Sequence, residues 1–408
     1  MIARAPYLFF LLIIIPDLYF DLHYWRHKYS CSQRITRWLP TIGMIAYTIY
    51  LMYEKNFIPD NADILYLYLF LLGFIVIPKV VYMLFSLCGL LFSHLFHRRK
   101  SAQPHKRSAQ RNTFPRKNYG NLIGLLFVPI LWFILFYGSF VGFQKLEINR
   151  QTFTSPNIPK AFNGYRIVLF SDAHVGTFTG KRQCLLQRAI DSINALHPDI
   201  IVFTGDIQNI KPQELYQQMD ILSQLKAKDG VYSVLGNHDY AEYVGCSEAE
   251  KEANCRETVS LEKQLGWTLL LNEHRSIERG KSRIVIAGME NDGDGERFPQ
   301  KGDINKTLKG IDDKDFIIML EHDPSSWRRK IIPDGRALLT LSGHTHKMQF
   351  ALFDWCPLSL TGADFNGWYT ERQQSLFVSA GIGGLIPFRF GAPSEIVAIT
   401  LKSQSTKD

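Results

Sequence analysis

The sequence predicts an α/β domain of two stacked mixed β-sheets flanked by helices, preceded by an all-α transmembrane region. Two observations predict it. Apolar runs dense enough to span a bilayer crowd the first third of the 408-residue chain. The remainder alternates short β-branched runs with helix-like segments and repeatedly ends a run in His, Asp or Asn.

The amino-terminal third has apolar runs at 6–20, 38–53, 64–92 and 121–143, each near or above the roughly 17 to 25 residues of a spanning helix. A cleaved signal peptide is not expected, because the first run lacks a basic start and a small-residue cleavage site, and three more runs follow. Pro78-Lys79 interrupts the third run, which reads as one kinked helix or two short passes. Loop charge favours one. Arg26, Lys28, Arg34 and Arg37 follow the first run, a dense basic stretch occupies 97–117, and the loop at 54–63 carries Glu54, Asp60 and Asp63. Four spans put both basic loops on the cytoplasmic side, with the amino terminus and everything after Phe143 outside. The expected boundaries are 1–144 for a four-helix transmembrane region and 145–408 for the soluble domain.

The +8 net charge is unevenly placed. Residues 1–144 carry fifteen Lys and Arg against five Asp and Glu, +10, which leaves −2 for the rest. The basic balance therefore belongs to loops near anionic lipid, and no nucleic-acid partner is expected for a near-neutral domain. Six cysteines without a Cys-x-x-Cys spacing argue against structural zinc or a thioredoxin-type motif. Cys246 and Cys255 flank a polar stretch read as a loop, either as a disulfide or as two free thiols.

In the soluble domain, 166–171 runs into Asp172-Ala173-His174, and 200–204 into Gly205-Asp206. Segment 231–235 runs into Gly236-Asn237-His238-Asp239, 316–320 into Glu321-His322-Asp323, and 337–342 into Gly343-His344-Thr345-His346. Helix-like segments lie at 181–196 and 213–226, and later strands are expected at 282–287, 375–379 and 396–401. Open α/β sheets place ligands at the carboxyl ends of strands. Taken singly, His174, His322 or His346 reads as an ordinary partly buried histidine, Asn237 as a turn residue and Asp206 as a helix cap. Jointly, carboxylate and imidazole at five strand ends suit a pair of divalent ions such as Mn, Fe or Zn, with one carboxylate bridging.

The ordered series D-x-H, G-D-x-x-N, G-N-H-D, H and G-H-x-H across 165–400 resembles the calcineurin-like metallophosphoesterases. The closing stretch from Gly381-Ile382-Gly383 through Arg389 to Glu395 resembles the membrane-linked branch that includes the YkuE- and YaeI-type phosphodiesterases. The resemblance implies a metallophosphoesterase-like sandwich holding two metals. One would sit on Asp172, His174, Asp206 and His346, the other on Asp206, Asn237, His322 and His344, with Asp206 as bridge. His238 would face the phosphate.

Two positions depart from the family pattern. Asn209 stands where the family has a second aspartate that orients the G-N-H histidine, so His238 is expected to have a lower pKa and to act more as a hydrogen-bond donor than as an acid, with the Asn209 amide orienting it. Lys347-Met348-Gln349 stands where many relatives have glycines, and Lys347 is expected to face solvent. Arg389 reads as a phosphate grip or a structural ion pair. Trp327 and Trp368 read as core, and His197 and His274 as loop or surface residues.

The function that follows from the resemblance is a membrane-anchored phosphoesterase in the inner or plasma membrane, acting outside the cytoplasm on a phosphoester, with a lipid-linked or glycolipid substrate favoured by the anchor. The alternatives are a nucleotidase, a UDP-sugar-lipid pyrophosphatase, and a catalytically degenerate scaffold of the same fold.

Overall fold

The computed structural model describes residues 5–54, 59, 61–100, 118–243, 245–296, 298–353 and 355–404. Most of the basic stretch expected at 97–117 lies outside them. The chain separates into two compact units, Met1–Tyr137 and Gly138–Asp408.

The first unit is helical: α1 (Ala5–Phe20), α2 (Cys31–Tyr53), α3 (Ala62–Leu71), α4 (Ile77–Lys100) and most of α5 (Tyr119–Phe140). Ser30 caps α2 in a reciprocal box with Gln33, whose N–H it accepts at 3.4 Å while its own N–H reaches Gln33 Oε1 at 3.1 Å. Three stretches, Tyr7–Trp25, Ala62–Leu95 and Tyr119–Gln144, are long and apolar enough to cross a membrane. The run at 38–53 lies in α2, which is long enough but carries Arg34 and Arg37 near its start. The third run is one continuous helix, because α3 passes into α4 through a π-helical turn, Leu72–Val76. Pro78 has no N–H for the carbonyl four residues back. That carbonyl, on Phe74, accepts the Trp132 indole N–H at 3.0 Å instead. Lys79 is also satisfied, donating to buried Asp17 at 2.7 Å and to Thr41 at 3.2 Å.

The second unit consists of two mixed six-stranded sheets. The first has the order β1 (Leu146–Ser155), β12 (Ser394–Ser403), β2 (Arg166–Phe170), β3 (Ile200–Phe203), β4 (Val231–Ser233), β5 (Thr268–Leu269). The second runs β10 (Gly367–Glu371), β11 (Gln374–Val378), β9 (Ala337–Ser342), β8 (Phe316–Leu320), β7 (Ser282–Gly288), β6 (Glu273–Arg279). Within the first, β2, β3 and β4 are parallel; within the second, β7, β8, β9 and β11 are. Side chains alternate between faces along each strand. Ile167, Leu169, Ile200 and Val202 therefore meet Ile284, Ile286, Ile318 and Leu341 between the sheets. Val168, Phe170, Ile201 and Phe203 point the other way, onto Leu186, Ile190 and Ile193 of α6 (Gln183–Ala195). Both faces are covered, which is why these strands are apolar throughout.

Several local expectations change. Segment 213–226 is a 3₁₀ turn followed by the single-turn α7 (Met219–Leu222). The stretch read as a loop around Cys255 is the helix α8 (Glu248–Gln264), capped by Ser247 and Glu250, and Cys246 and Cys255 are both free thiols. His274 lies on β6, its Nδ1 2.8 Å from the Thr307 carbonyl. His197 is an exposed loop residue, Trp327 is fully buried, and Trp368 packs against the core with its N–H on Gln151.

Candidate metal centre

Parallel strands end together, so β2, β3, β4, β8 and β9 deliver their terminal residues to one place. Asp172, His174, Asp206, His344 and His346 all take left-handed backbone angles, with φ between 42° and 77°. Such angles are uncommon outside glycine and mark sharp turns at which a side chain is redirected. The motif glycines make room for these turns. A Cβ on Gly236 would collide with the Asp206 carboxylate, and one on Gly343 with Ser171 Oγ and Asp172 Oδ2.

Two clusters result, and they share one residue. Asp172, His174, Asp206 and His346 present ligand atoms within 4.8 Å of one another, and so do Asp206, His322 and His344. Asp206 Oδ2 lies 3.6 Å from His174 Nε2 and 3.2 Å from His322 Nε2. His174 and His346 face each other Nε2 to Nε2 at 3.2 Å, and His346 Nε2 is 3.4 Å from Asp172 Oδ1. Asn237 Oδ1 joins the second cluster, 3.0 Å from His322 Nε2 and 2.7 Å from His344 Nδ1.

The hydrogen-bond directions decide what this pocket is suited to hold. His322 donates its Nδ1–H to the Thr204 carbonyl at 2.7 Å, so its Nε2 faces inward as an acceptor. Asn237 spends its Nδ2–H on Tyr243 at 2.7 Å, which turns its Oδ1 inward. Acceptors from Asp206, Asn237 and His322 thus converge with nothing but a proton or a cation to separate them. Burial, then the charges of neighbouring His238 and His322, keeps His174 neutral, its pKa down to about 3. Burial likewise lowers His344 and His346. Burial also acts against protonated His322, but the adjoining Asp206 carboxylate outweighs it and raises the imidazole to about 10. In the absence of a cation the proton sits there. Oxygen and neutral-imidazole donors fit a divalent metal.

His238 is placed differently from expectation. It donates Nδ1–H to the backbone carbonyl of Asn209 at 2.5 Å, not to its side chain. The Asn209 amide instead donates to Thr177 at 2.9 Å. Burial lowers the His238 pKa, a different cause from the amide-for-carboxylate exchange at position 209. With its one neutral-state proton committed to Asn209, however, Nε2 is an acceptor rather than a donor. Arg389 is neither phosphate grip nor ion pair: fully buried, it donates to the carbonyls of Ala380, Gly381, Gly383, Ala392 and Pro393 and so holds the loop beneath Asp172. Lys347 is half-buried.

Supporting residues had no role at sequence level. Asp239 accepts the N–H groups of Asp206 and Gly236 at 2.8 Å each and of Ile207 at 3.0 Å, fixing the Asp206 turn. Asp323 lies 3.6 Å from His344 Nε2. Both stand inside the quoted motifs, where a carboxylate directly after a motif histidine was the available signal. Tyr243, which orients Asn237, had none.

Known proteins bear on this geometry. The model described as "Calcineurin-like phosphoesterase" matches 165–348, and the one described as "Probable Calcineurin-like phosphoesterase, transmembrane domain" matches 2–143. "Uncharacterized metallophosphoesterase YkuE" of Bacillus subtilis is 32% identical over 276 residues, covering 65% of this chain and 89% of that protein. The chain belongs to the calcineurin-like phosphoesterase family. A Danio rerio "Transmembrane protein with metallophosphoesterase domain" is 32% identical over 253 residues, 60% of this chain, and the chain spans only 55% of its length. An "Uncharacterized metallophosphoesterase" of Aquifex aeolicus is 28% identical over 263 residues, covering 64% of this chain and 93% of that protein. This phosphoesterase is a metal-dependent hydrolase joined to a membrane region.

Proposed function

We propose that the phosphoesterase binds two divalent ions, Mn, Fe or Zn, one among Asp172, His174, Asp206 and His346 and one among Asp206, Asn237, His322 and His344. It hydrolyses a phosphoester or phosphodiester carried by a lipid or glycolipid, outside the cytoplasm, from an anchor of four spans in 1–144 with the catalytic domain in 145–408. The observation that carries this is the convergence of acceptors on Asp206, which leaves a place for a cation between two groups of carboxylate, amide and imidazole ligands.

Ions bound there supply positive charge to a phosphoryl group and acidify a water for attack. The chain's own residues prepare that event. Thr204 fixes the His322 tautomer, Tyr243 turns Asn237 inward, and Asp239 holds the shared carboxylate in place. His238 Nε2, an acceptor while neutral, takes a proton from the attacking water and passes that proton to the leaving-group oxygen. The lipid substrate is supported by the membrane match, and the orientation by the basic loops flanking an acidic one.

The test uses the full chain in detergent. Bound metal per chain is measured, and hydrolysis of a chromogenic phosphodiester is followed with added Mn for the parent, Asp206→Ala and His238→Ala. Two ions and turnover that both substitutions abolish are expected. A folded parent with neither metal nor turnover would favour a scaffold. A tag on the carboxyl terminus found in the cytoplasm would overturn the orientation.

A further inference from the structure

Beyond Val141, which directly follows α5, the large apolar side chains left exposed among the described residues are Tyr216 and six others: Met348, Leu352, Phe353, Trp355, Leu360 and Leu385. Those six lie between 348 and 385, in the stretch that begins just past His346. The turn that carries Leu352, Phe353 and Trp355 is built, not frayed. Leu352 and Trp355 exchange backbone hydrogen bonds at 2.9 and 3.2 Å, which puts Phe353 at the tip, 91% exposed. On its inner side Ala351, Cys356 and Ala392 are buried together, with Leu358 and Phe365 packed against them.

A chain of contacts ties this turn to the end of a membrane-crossing stretch. Ala351 N–H donates to the Phe390 carbonyl at 2.7 Å, Phe390 N–H donates to the Gln349 carbonyl at 2.9 Å, and the Phe350 and Phe390 rings stack at 5.7 Å. Gln349 Nε2 donates to the carbonyls of Ile386 and Phe388 at 3.0 and 2.7 Å. The neighbouring Arg389 N–H donates to the Gly138 carbonyl at 3.0 Å, and the Phe388 ring lies so close to Gly138 that a Cβ there would collide with it. Gly138 is in the last turn of α5, within the candidate span Tyr119–Gln144.

The end of a spanning helix stands at the headgroup boundary, where Trp and Tyr are favoured and where interfacial segments bury Trp, Phe and Leu. An apolar patch joined by these contacts to the end of a candidate span would be an unusual liability if exposed in water. We propose that Met348, Leu352, Phe353, Trp355, Leu360 and Leu385 form a membrane-inserted edge of the catalytic unit, seated in the bilayer interface beside the end of α5. His344 and His346 stand next in sequence to that edge. Access to a lipid-borne phosphoester rests on the proposed function, but insertion of the edge does not.

The experiment reconstitutes the full chain into phosphatidylcholine vesicles. Phe353→Cys, Leu360→Cys and Tyr216→Cys are each made in a chain whose cysteines other than buried Cys356 are serine, and each is labelled with a polarity-sensitive fluorophore. Labels at 353 and 360 are expected to emit blue-shifted light and to be quenched by phosphatidylcholine carrying a nitroxide on carbon 5 of its acyl chain. The label at 216 is expected to do neither. Labels at 353 and 360 that behave like 216 would overturn the proposal. So would a blue shift without quenching that disappears as protein is diluted in the bilayer, which would assign the patch to a second copy. Neither readout needs turnover, so failure here is separate from failure of the phosphoesterase reading.

Discussion

His238 Nδ1 lies 2.5 Å from the Asn209 backbone carbonyl, while the Asn209 side chain turns away to Thr177. The residue that departs from the family pattern is therefore not the group that orients the histidine. Its Oδ1 and Glu214 Oε2 both lie within 3 Å of the point where a Cβ on Gly176 would stand, 2.9 and 2.5 Å away.

Asn209→Asp should accordingly fail to activate the enzyme. It would place a second carboxylate beside Glu214, whose own pKa burial has already pushed up to about 7. A loss of about 1–3 kcal/mol in stability is expected from burying like charges without new partners. Thermal unfolding and a pH-rate profile check this: a gain in activity with a raised His238 limb would show that the side chain reaches the histidine after all.

Removal of Asp239 tests the support of the shared carboxylate. Asp239→Asn replaces an acceptor of four backbone N–H groups by an amide that can satisfy fewer of them. Metal affinity should fall roughly 10- to 100-fold, as for other groups that orient a ligand. Equilibrium dialysis against Mn would reveal it, and unchanged affinity would count against the role.

Metal binding should tighten with pH. His322 in the cation-free protein is raised to about 10 by Asp206, so it holds a proton that a metal must displace. Below that pKa, each displaced proton makes apparent affinity rise about tenfold per pH unit, and the proton is released on binding. The cation-free protein should show the opposite trend in stability: a raised pKa contributes stability fully below the unfolded value of about 6.5, lost as pH climbs toward 10. Titration in two buffers of different ionisation enthalpy would count the protons, and zero release would refute the protonated pair.

In the helical unit, buried Asp17 holds Lys79 at 2.7 Å. Asp17→Ala strands an ammonium among apolar helices and should cost about 3–5 kcal/mol, whereas adding Lys79→Met should recover much of that. Unfolding in mixed micelles would compare the variants. Equal losses in single and double variants would mean that the pair is not coupled.

Much was legible in the chain itself. Strands carry period-two or continuous apolar patterns because one or both faces are covered, so β2, β3, β8, β9 and β12 were readable within a few residues. The side chains that cluster at the strand ends were readable too, because metal chemistry restricts residue type and strand ends restrict order. Elements whose pattern is polar escaped: β1 and β6 show half-exposed sequences, and α8 is a charged helix stabilised by its cap and its packing.

Only the tertiary structure decided direction. Spacing names Asn209 and His238 but cannot say whether side chain or carbonyl meets the imidazole, because that depends on how two loops from β3 and β4 cross. It names Arg389 but not the five carbonyls that a buried guanidinium gathers from residues 380 to 393. It lists Phe353 as one aromatic among many, whereas its exposure at the tip of a hydrogen-bonded turn is a property of packing. Residue type sets which chemistry is possible; the fold sets which lone pairs meet, and at this site the meeting point is Asp206.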